Sequence, residues 1–175
     1  GYLSTSTVIF AQCLIRSLAD MAGQSFRLNR SSFEKAHFSP LFNMIVYTHF
    51  AGAVQGDYII AMDERMAAKI AGMDCAQFPE SEIRARREEY GDFIRELLNL
   101  AVAQSVLQLE KRFGKLTHTP ATVVYGEIEF PEVIAGNLRI ESQDGNIQCG
   151  LCLNLAQVRI GTQLAETLRQ LEEHR

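Results

Sequence analysis

The chain has 175 residues, of which 47% are hydrophobic and 22% charged, with a net charge of −4. These values suit one globular domain spanning residues 1–175 and exclude a disordered polymer. The acidic balance and absence of a basic block disfavour duplex nucleic acid and anionic membrane as partners, and no run nears the roughly 18 apolar residues of a membrane span.

Residues 5–22 repeat with helical period, with Ile9, Leu14, Leu18 and Met21 as the apolar stripe and Gly23 as the stop. Ser25–Asn29 reads as a strand, followed by a polar segment through Pro40. Residues 41–51 (LFNMIVYTHFA) are rich in β-formers, and 54–62 (VQGDYIIAM) read as their hairpin partner. A short helix is expected over 64–72. Pro79 opens the longest helix, expected to run to Phe113 with Gly114 as its stop. Gly91 costs this helix about 1 kcal/mol against alanine.

Strands follow near 122–129, 134–142 and 147–155, the last two joined by Asp144-Gly145, the strongest short hairpin signal in the chain. Cys149 and Cys152 lie three apart on the last strand and so point to opposite faces, which disfavours chelation or a disulfide. With Cys13 and Cys75 they are expected to be structural thiols in a reducing cytoplasm, and the N-terminus lacks the layout of a secretory signal. A final helix is expected over 157–173.

The two halves share an order: long helix, three strands, shorter helix. The fold expected is α+β, built from two pseudosymmetric helix-plus-three-strand units. The long helices would pack on one side of a largely antiparallel sheet. Its other side would be open to solvent or to a partner subunit.

One helix carries the candidate chemistry. In Asp92-Phe-Ile-Arg-Glu96-Leu-Leu-Asn99, the residues Asp92, Glu96 and Asn99 fall within about 60° of one another on a single face. Phe93, Ile94, Leu97, Leu98, Ala101 and Leu107 are expected to cover the rest of the circumference. A mostly buried helix has thus kept a narrow polar strip with a carboxylate and a carboxamide one turn apart. Arg84, Arg86 and Arg87, beside Glu88 and Glu89, read as a solvated face. His37, His49, His118 and His174 are scattered without metal-ligand spacing, so no metal site is expected. Ser4, Ser6 and Ser105 have no neighbouring His–Asp pattern for a nucleophile.

Asp92-x3-Glu96-x2-Asn99, followed by Pro120, resembles the signature of the chemotaxis phosphatase family that includes CheC, CheX and FliY. Phe50-Ala-Gly52-Ala-Val-Gln-Gly56, with the apolar strand and Met62-Asp63-Glu64 after it, also resembles that family's first half. The similarity extends from about residue 5 to 160. The interval from Asn99 to Pro120 is slightly shorter than the family's usual one. The first helix, through Ala11–Asp20, has no Glu-x-x-Asn, and a single site resembles the CheX type, whose members are similar in being homodimers.

The resemblance implies a phosphatase acting on the aspartyl phosphate of a CheY-like response regulator, which would bring its own Mg²⁺; no cofactor of the chain's own is implied. Glu96 and Asn99 would be the catalytic pair, with Asp92 and Pro120 in supporting or partner-binding roles. A carboxamide takes no proton near neutrality but donates and accepts hydrogen bonds at once, as water positioning requires. Two alternatives stay open. One is a non-catalytic module that docks the regulator or a motor-switch component; the other is a structural dimer with a vestigial motif.

Overall fold

The structure is a computed structural model that describes residues 1–128, 130, 134–154 and 169–173. Its elements are α1 (Tyr2–Ala22), β1 (Arg27–His37), β2 (Met44–Ala51), β3 (Gln55–Met62), α2 (Glu64–Ile70), α3 (Glu80–Ala85), α4 (Arg87–Phe113), β4 (Thr117–His118), β5 (Thr122–Tyr125), β6 (Ile134–Ser142) and β7 (Gly145–Asn154). All strand pairings are antiparallel. The sheet runs β1-β6-β7-β3-β2, and β4 and β5 share the outer edge of β2.

This order is its own mirror when the halves are exchanged. β1 trades places with β4/β5, β6 with β2 and β7 with β3. Gly23 and Gly114 end the two long helices with φ of 63° and 74°, and they are 91 residues apart. The same interval carries Ile59 onto Gly150, and these two residues face each other in the central ladder. The pseudo-dyad therefore passes between β3 and β7. The expected repeat of pattern is a repeat of topology.

Alternation along the central strands divides the core in two. Val46, Phe50, Tyr58, Ile60, Leu138, Ile140, Cys149 and Leu151 join the main core with α1 and α4. Ile45, Ile59, Ala61, Ala135 and Cys152 face the other way, beneath Phe38 and against Phe42, Tyr47, Ile128 and Phe130. The face expected to be open is thus roofed by aromatic side chains from the loops after β1 and β5. Cys149 and Cys152 fall in opposite cores, as period two requires. All four thiols are buried and free. Burial pushes the Cys149 thiol well above its ordinary range and that of Cys152 up to about 12.

α1 buries Leu3, Thr7, Phe10, Leu14 and Leu18 along one stripe, while Ile9 and Met21 lie at its margin. Its buried hydroxyls bond back one turn, Thr7 to the Leu3 carbonyl (2.7 Å) and Ser17 to that of Cys13 (2.9 Å). In α4, Ser105 does the same to Ala101 (2.7 Å). These bonds give each buried hydroxyl a partner within its own helix.

Three expectations are corrected. The strand read as Ser25–Asn29 runs from Arg27 to His37, with a bulge between Asn29 and Glu34. As an edge strand with little burial it needs no apolar alternation, so its polar sequence reads as loop. The helix expected from Pro79 to Phe113 is broken at Arg86 (φ −105°, ψ 15°) into α3 and α4. The strand expected over 122–129 stops at Tyr125, residue 129 lying outside the described residues.

Of the final helix expected over 157–173, residues 169–173 are described and helical, with Leu171 against the main core; the remainder lies outside the described residues. Among the described residues no helix is long and apolar enough to cross a membrane.

Backbone approach is closest at Gly56, where an added methyl would run into the carbonyl oxygen of Cys152 and the ring of Phe50. Because one obstacle is backbone at the central ladder, it cannot swing away. Gly56→Ala should cost about 2–3 kcal/mol, the upper range for overpacking, read as a lower denaturant midpoint at unchanged m-value.

Candidate functional site

α4 buries Tyr90, Gly91, Ile94, Leu97, Leu98, Ala101, Val102, Ser105, Val106 and Leu109. What remains outward is a stripe through Asp92, Glu96, Leu100, Ala103 and Leu107. Glu96 is exposed, and among the described residues its carboxylate makes no hydrogen bond or ion pair. Asp92 is exposed and paired with Arg95 one turn on. Of the three motif residues, Glu96 alone offers an uncompensated charge.

Asn99 is half-buried rather than solvated, and its Oδ1 accepts a hydrogen bond from the backbone N–H of Ala121 at 2.8 Å. One lone pair of the amide oxygen is thereby used. Among the described residues the other lone pair and both Nδ2 hydrogens have no partner and remain for a ligand. Pro120 is exposed and has no N–H of its own; its ring restricts the turn that presents Ala121. The interval from Asn99 to Pro120 brings the Ala121 N–H to the helix.

Leu100 and Leu107 are 39% and 59% exposed, two of four large hydrophobic side chains that are exposed among the described residues. They continue the stripe of Glu96 as an apolar ridge. The expectation that Leu107 covers the buried side is therefore corrected. It lies eleven residues after Glu96, about 20° away on the helical wheel, so the spacing alone could have placed it.

At the start of α4 the solvated reading of Arg87 is also overturned. Its guanidinium bonds the buried carboxylate of Glu64 through Nε (2.6 Å) and a terminal nitrogen (3.0 Å). Tyr90 donates to the same carboxylate at 2.7 Å and Asn43 at 2.9 Å. Burial raises the Glu64 pKa, but these donors outweigh it and hold the carboxyl below its ordinary value. Arg86 behaves as expected, making an i,i+4 pair with Glu82.

His49 pairs with Asp57 at 3.2 Å on the far face of the sheet, where burial raises the Asp57 pKa against the opposing pull of His49. Among the described residues no group of His, Cys, Asp and Glu could hold a metal ion.

No family model matches the chain, and neither does any curated protein. Solved structures do. The chemotaxis protein CheX from Vibrio vulnificus superposes with a TM-score of 0.67 at 19% identity, over 83% of this chain and 97% of that one. Its fold is that of CheX and the CheC-like proteins. The CheX–CheY–BeF3–Mg²⁺ complex from Borrelia burgdorferi matches with a TM-score of 0.64 at 22% identity, over 83% and 96%. The FliM middle domain from Vibrio alginolyticus matches with 0.54 at 15%, over 97% and 98%. At these identities the likeness establishes the CheX fold and its α+β architecture.

In the CheX fold the two long helices are counterparts. The 91-residue interval places Thr5 and Val8 of α1 where α4 has Glu96 and Asn99. The strip is present once.

Two outcomes follow from this geometry. Asn99→Ala leaves the Ala121 N–H without its acceptor and should cost about 1–2 kcal/mol, whereas Asn99→Asp keeps an acceptor and should cost less, read by denaturant unfolding. For Glu64, a depressed folded-state pKa means its contribution is fully present above the ordinary value of 4.5 and lost as pH falls through the folded value. Glu64→Gln should therefore destabilise most near neutrality, and the gap in melting temperature to wild type should close on acidification.

Proposed function

We propose that the protein accelerates hydrolysis of the aspartyl phosphate of a CheY-like response regulator, with α4 as the docking helix. The observation that carries the reading is Asn99, an amide whose oxygen is fixed by Ala121 while, among the described residues, its nitrogen has no partner and the carboxylate of Glu96 one turn away is unpaired. The CheX fold, seen in a complex with CheY, supports it.

In this reading Asn99 enters the regulator's phosphate site and holds a water in line with the acyl-phosphate bond. The water oxygen attacks phosphorus, the P–O bond to the aspartate breaks, and the carboxylate leaves with the bonding pair. The water's proton passes to phosphate or solvent, since an amide cannot take it. Glu96 pairs with a cationic side chain of the regulator and sets the docked register. Asp92, already held by Arg95, orients that end of the strip. Mg²⁺ would come with the regulator, and Leu100, Ala103 and Leu107 would supply apolar contact. Positioning of this kind is worth on the order of 10² in rate.

A phosphate-lifetime assay with candidate regulators from the same genome decides. Wild type should shorten the lifetime on the order of 10²-fold, Asn99→Ala and Asn99→Asp should lose most of that, and Glu96→Ala should chiefly weaken binding. Dephosphorylation by Asn99→Ala at the wild-type rate would remove the water-positioning role; unchanged affinity of Glu96→Ala would remove the assignment of Glu96. The non-catalytic docking module draws on the same exposed ridge, and it predicts binding without a shorter phosphate lifetime.

We also read the chain as a homodimer. With β6 and β7 interior, the edges available among the described residues are β1 and β4/β5. Light scattering should give twice the chain mass at micromolar concentration, and a monomer there would rule the dimer out.

A further inference from the structure

Two hydrogen bonds tie the strip-bearing part of α4 to one short segment of chain. At its lower end the Ala121 N–H holds Asn99 (2.8 Å). Four residues on, the Tyr125 hydroxyl donates to the carbonyl of Arg87 at 3.2 Å. Asp92 and Glu96 lie between these attachments.

The Tyr125 end is the more elaborate. The Arg87 guanidinium lies 4.2 Å over the Tyr125 ring, and Tyr90 meets that ring edge-on with centroids 6.4 Å apart. Arg87 and Tyr90 are the residues that grip Glu64, so the ring is held from the helix side by the buried carboxylate network. Gly91 completes the seat, because a methyl there would stand 2.8 Å from the Tyr125 hydroxyl. The glycine that weakens this helix makes room for a phenol to cross it.

We propose that Tyr125 is a positioning residue for the reaction: by fixing β5 across the first turns of α4, it sets where Ala121 meets Asn99 and so how the Asn99 amide is presented. This rests on the role given to Asn99 above. Tyr125 touches neither regulator nor phosphate, and it acts through four residues of strand and one hydrogen bond. Its removal should lower the rate in the docked complex and leave docking alone.

The test uses the full chain as wild type, Tyr125→Phe, Gly91→Ala and the double variant. Tyr125→Phe removes one oxygen and keeps the packing ring, while Gly91→Ala forces the hydroxyl off the helix with the phenol intact. The Asn99 side-chain amide resonance should move in both single variants. With saturating regulator, dephosphorylation should fall about threefold to tenfold at unchanged affinity. Because both changes break one contact, the double variant should fall no further than the worse single one.

An Asn99 resonance that stays in place in Tyr125→Phe would overturn the proposal, as would additive losses in the double variant. If wild type fails to shorten the phosphate lifetime, the phosphatase reading fails by itself, and the Asn99 resonance still decides whether Tyr125 positions the amide.

Discussion

The central ladder between β3 and β7 is the constraint from which the rest of the molecule follows. The pseudo-dyad crosses it at Ile59 and Gly150, so each half contributes its last strand to the middle of a common sheet. Two halves joined in this way place both long helices on one face. There α1 and α4 pack on each other as well as on the strands, and neither can turn its apolar stripe elsewhere. The surface left on α4 is a consequence of that arrangement. Whatever lies opposite Ile94, Leu97, Leu98 and Ala101 must face outward, and those positions are filled by Glu96, Leu100, Ala103 and Leu107. A partner that reads α4 reads the one ridge the core leaves free.

Much of this was legible in the chain because local and tertiary demands agree. The hairpins β2–β3 and β6–β7 announce themselves through β-branched runs and Asp144-Gly145, although the two turn residues are Gln143 and Asp144 and Gly145 already opens β7; the helix stops coincide with Gly23 and Gly114. The motif face of α4 follows from spacing. Legibility ended where tertiary contacts override local pattern. β1 is an edge strand whose polar residues carry no period-two signal, so only its pairing with β6 reveals it. Arg87 sits in a charge cluster that reads as solvent-facing, and its true partner, Glu64, is 23 residues away on another helix. The bond from Ala121 to Asn99 could not be read, because a backbone donor leaves no mark in the side-chain sequence.

The carboxamide suits its proposed task for a reason of charge. A carboxylate pressed toward a phosphoryl group would meet like charge in a site already crowded with anionic oxygens, and an imidazole would change state near neutral pH. An amide does neither. Its weakness is conformational, since a free Asn rotates and its two ends are nearly the same shape. The Ala121 N–H answers this by choosing the oxygen and fixing it, which leaves the nitrogen without a partner among the described residues. Orientation that would otherwise be lost on docking is already set in the free chain, and preorganisation of this kind is where a positioning group gains its effect.

The two halves can be compared at each point of that device. Where α4 has Asn99, α1 has Val8, which offers no acceptor. Tyr125 lies opposite Met44 in the ladder with β2, and the matching place on the edge strand β1, opposite Ile134 of β6, is held by the exposed His37. Strand pairing is preserved between the halves, so the scaffold does not demand either attachment. The attachments occur in the half that carries the amide. If Tyr125 served only to close the core, its half would have no more need of it than the other, whose own edge strand remains paired to β6 without such a crossing. The asymmetry thus associates the phenol with the amide, and Gly91, which weakens the helix, is the local concession that lets the two coexist.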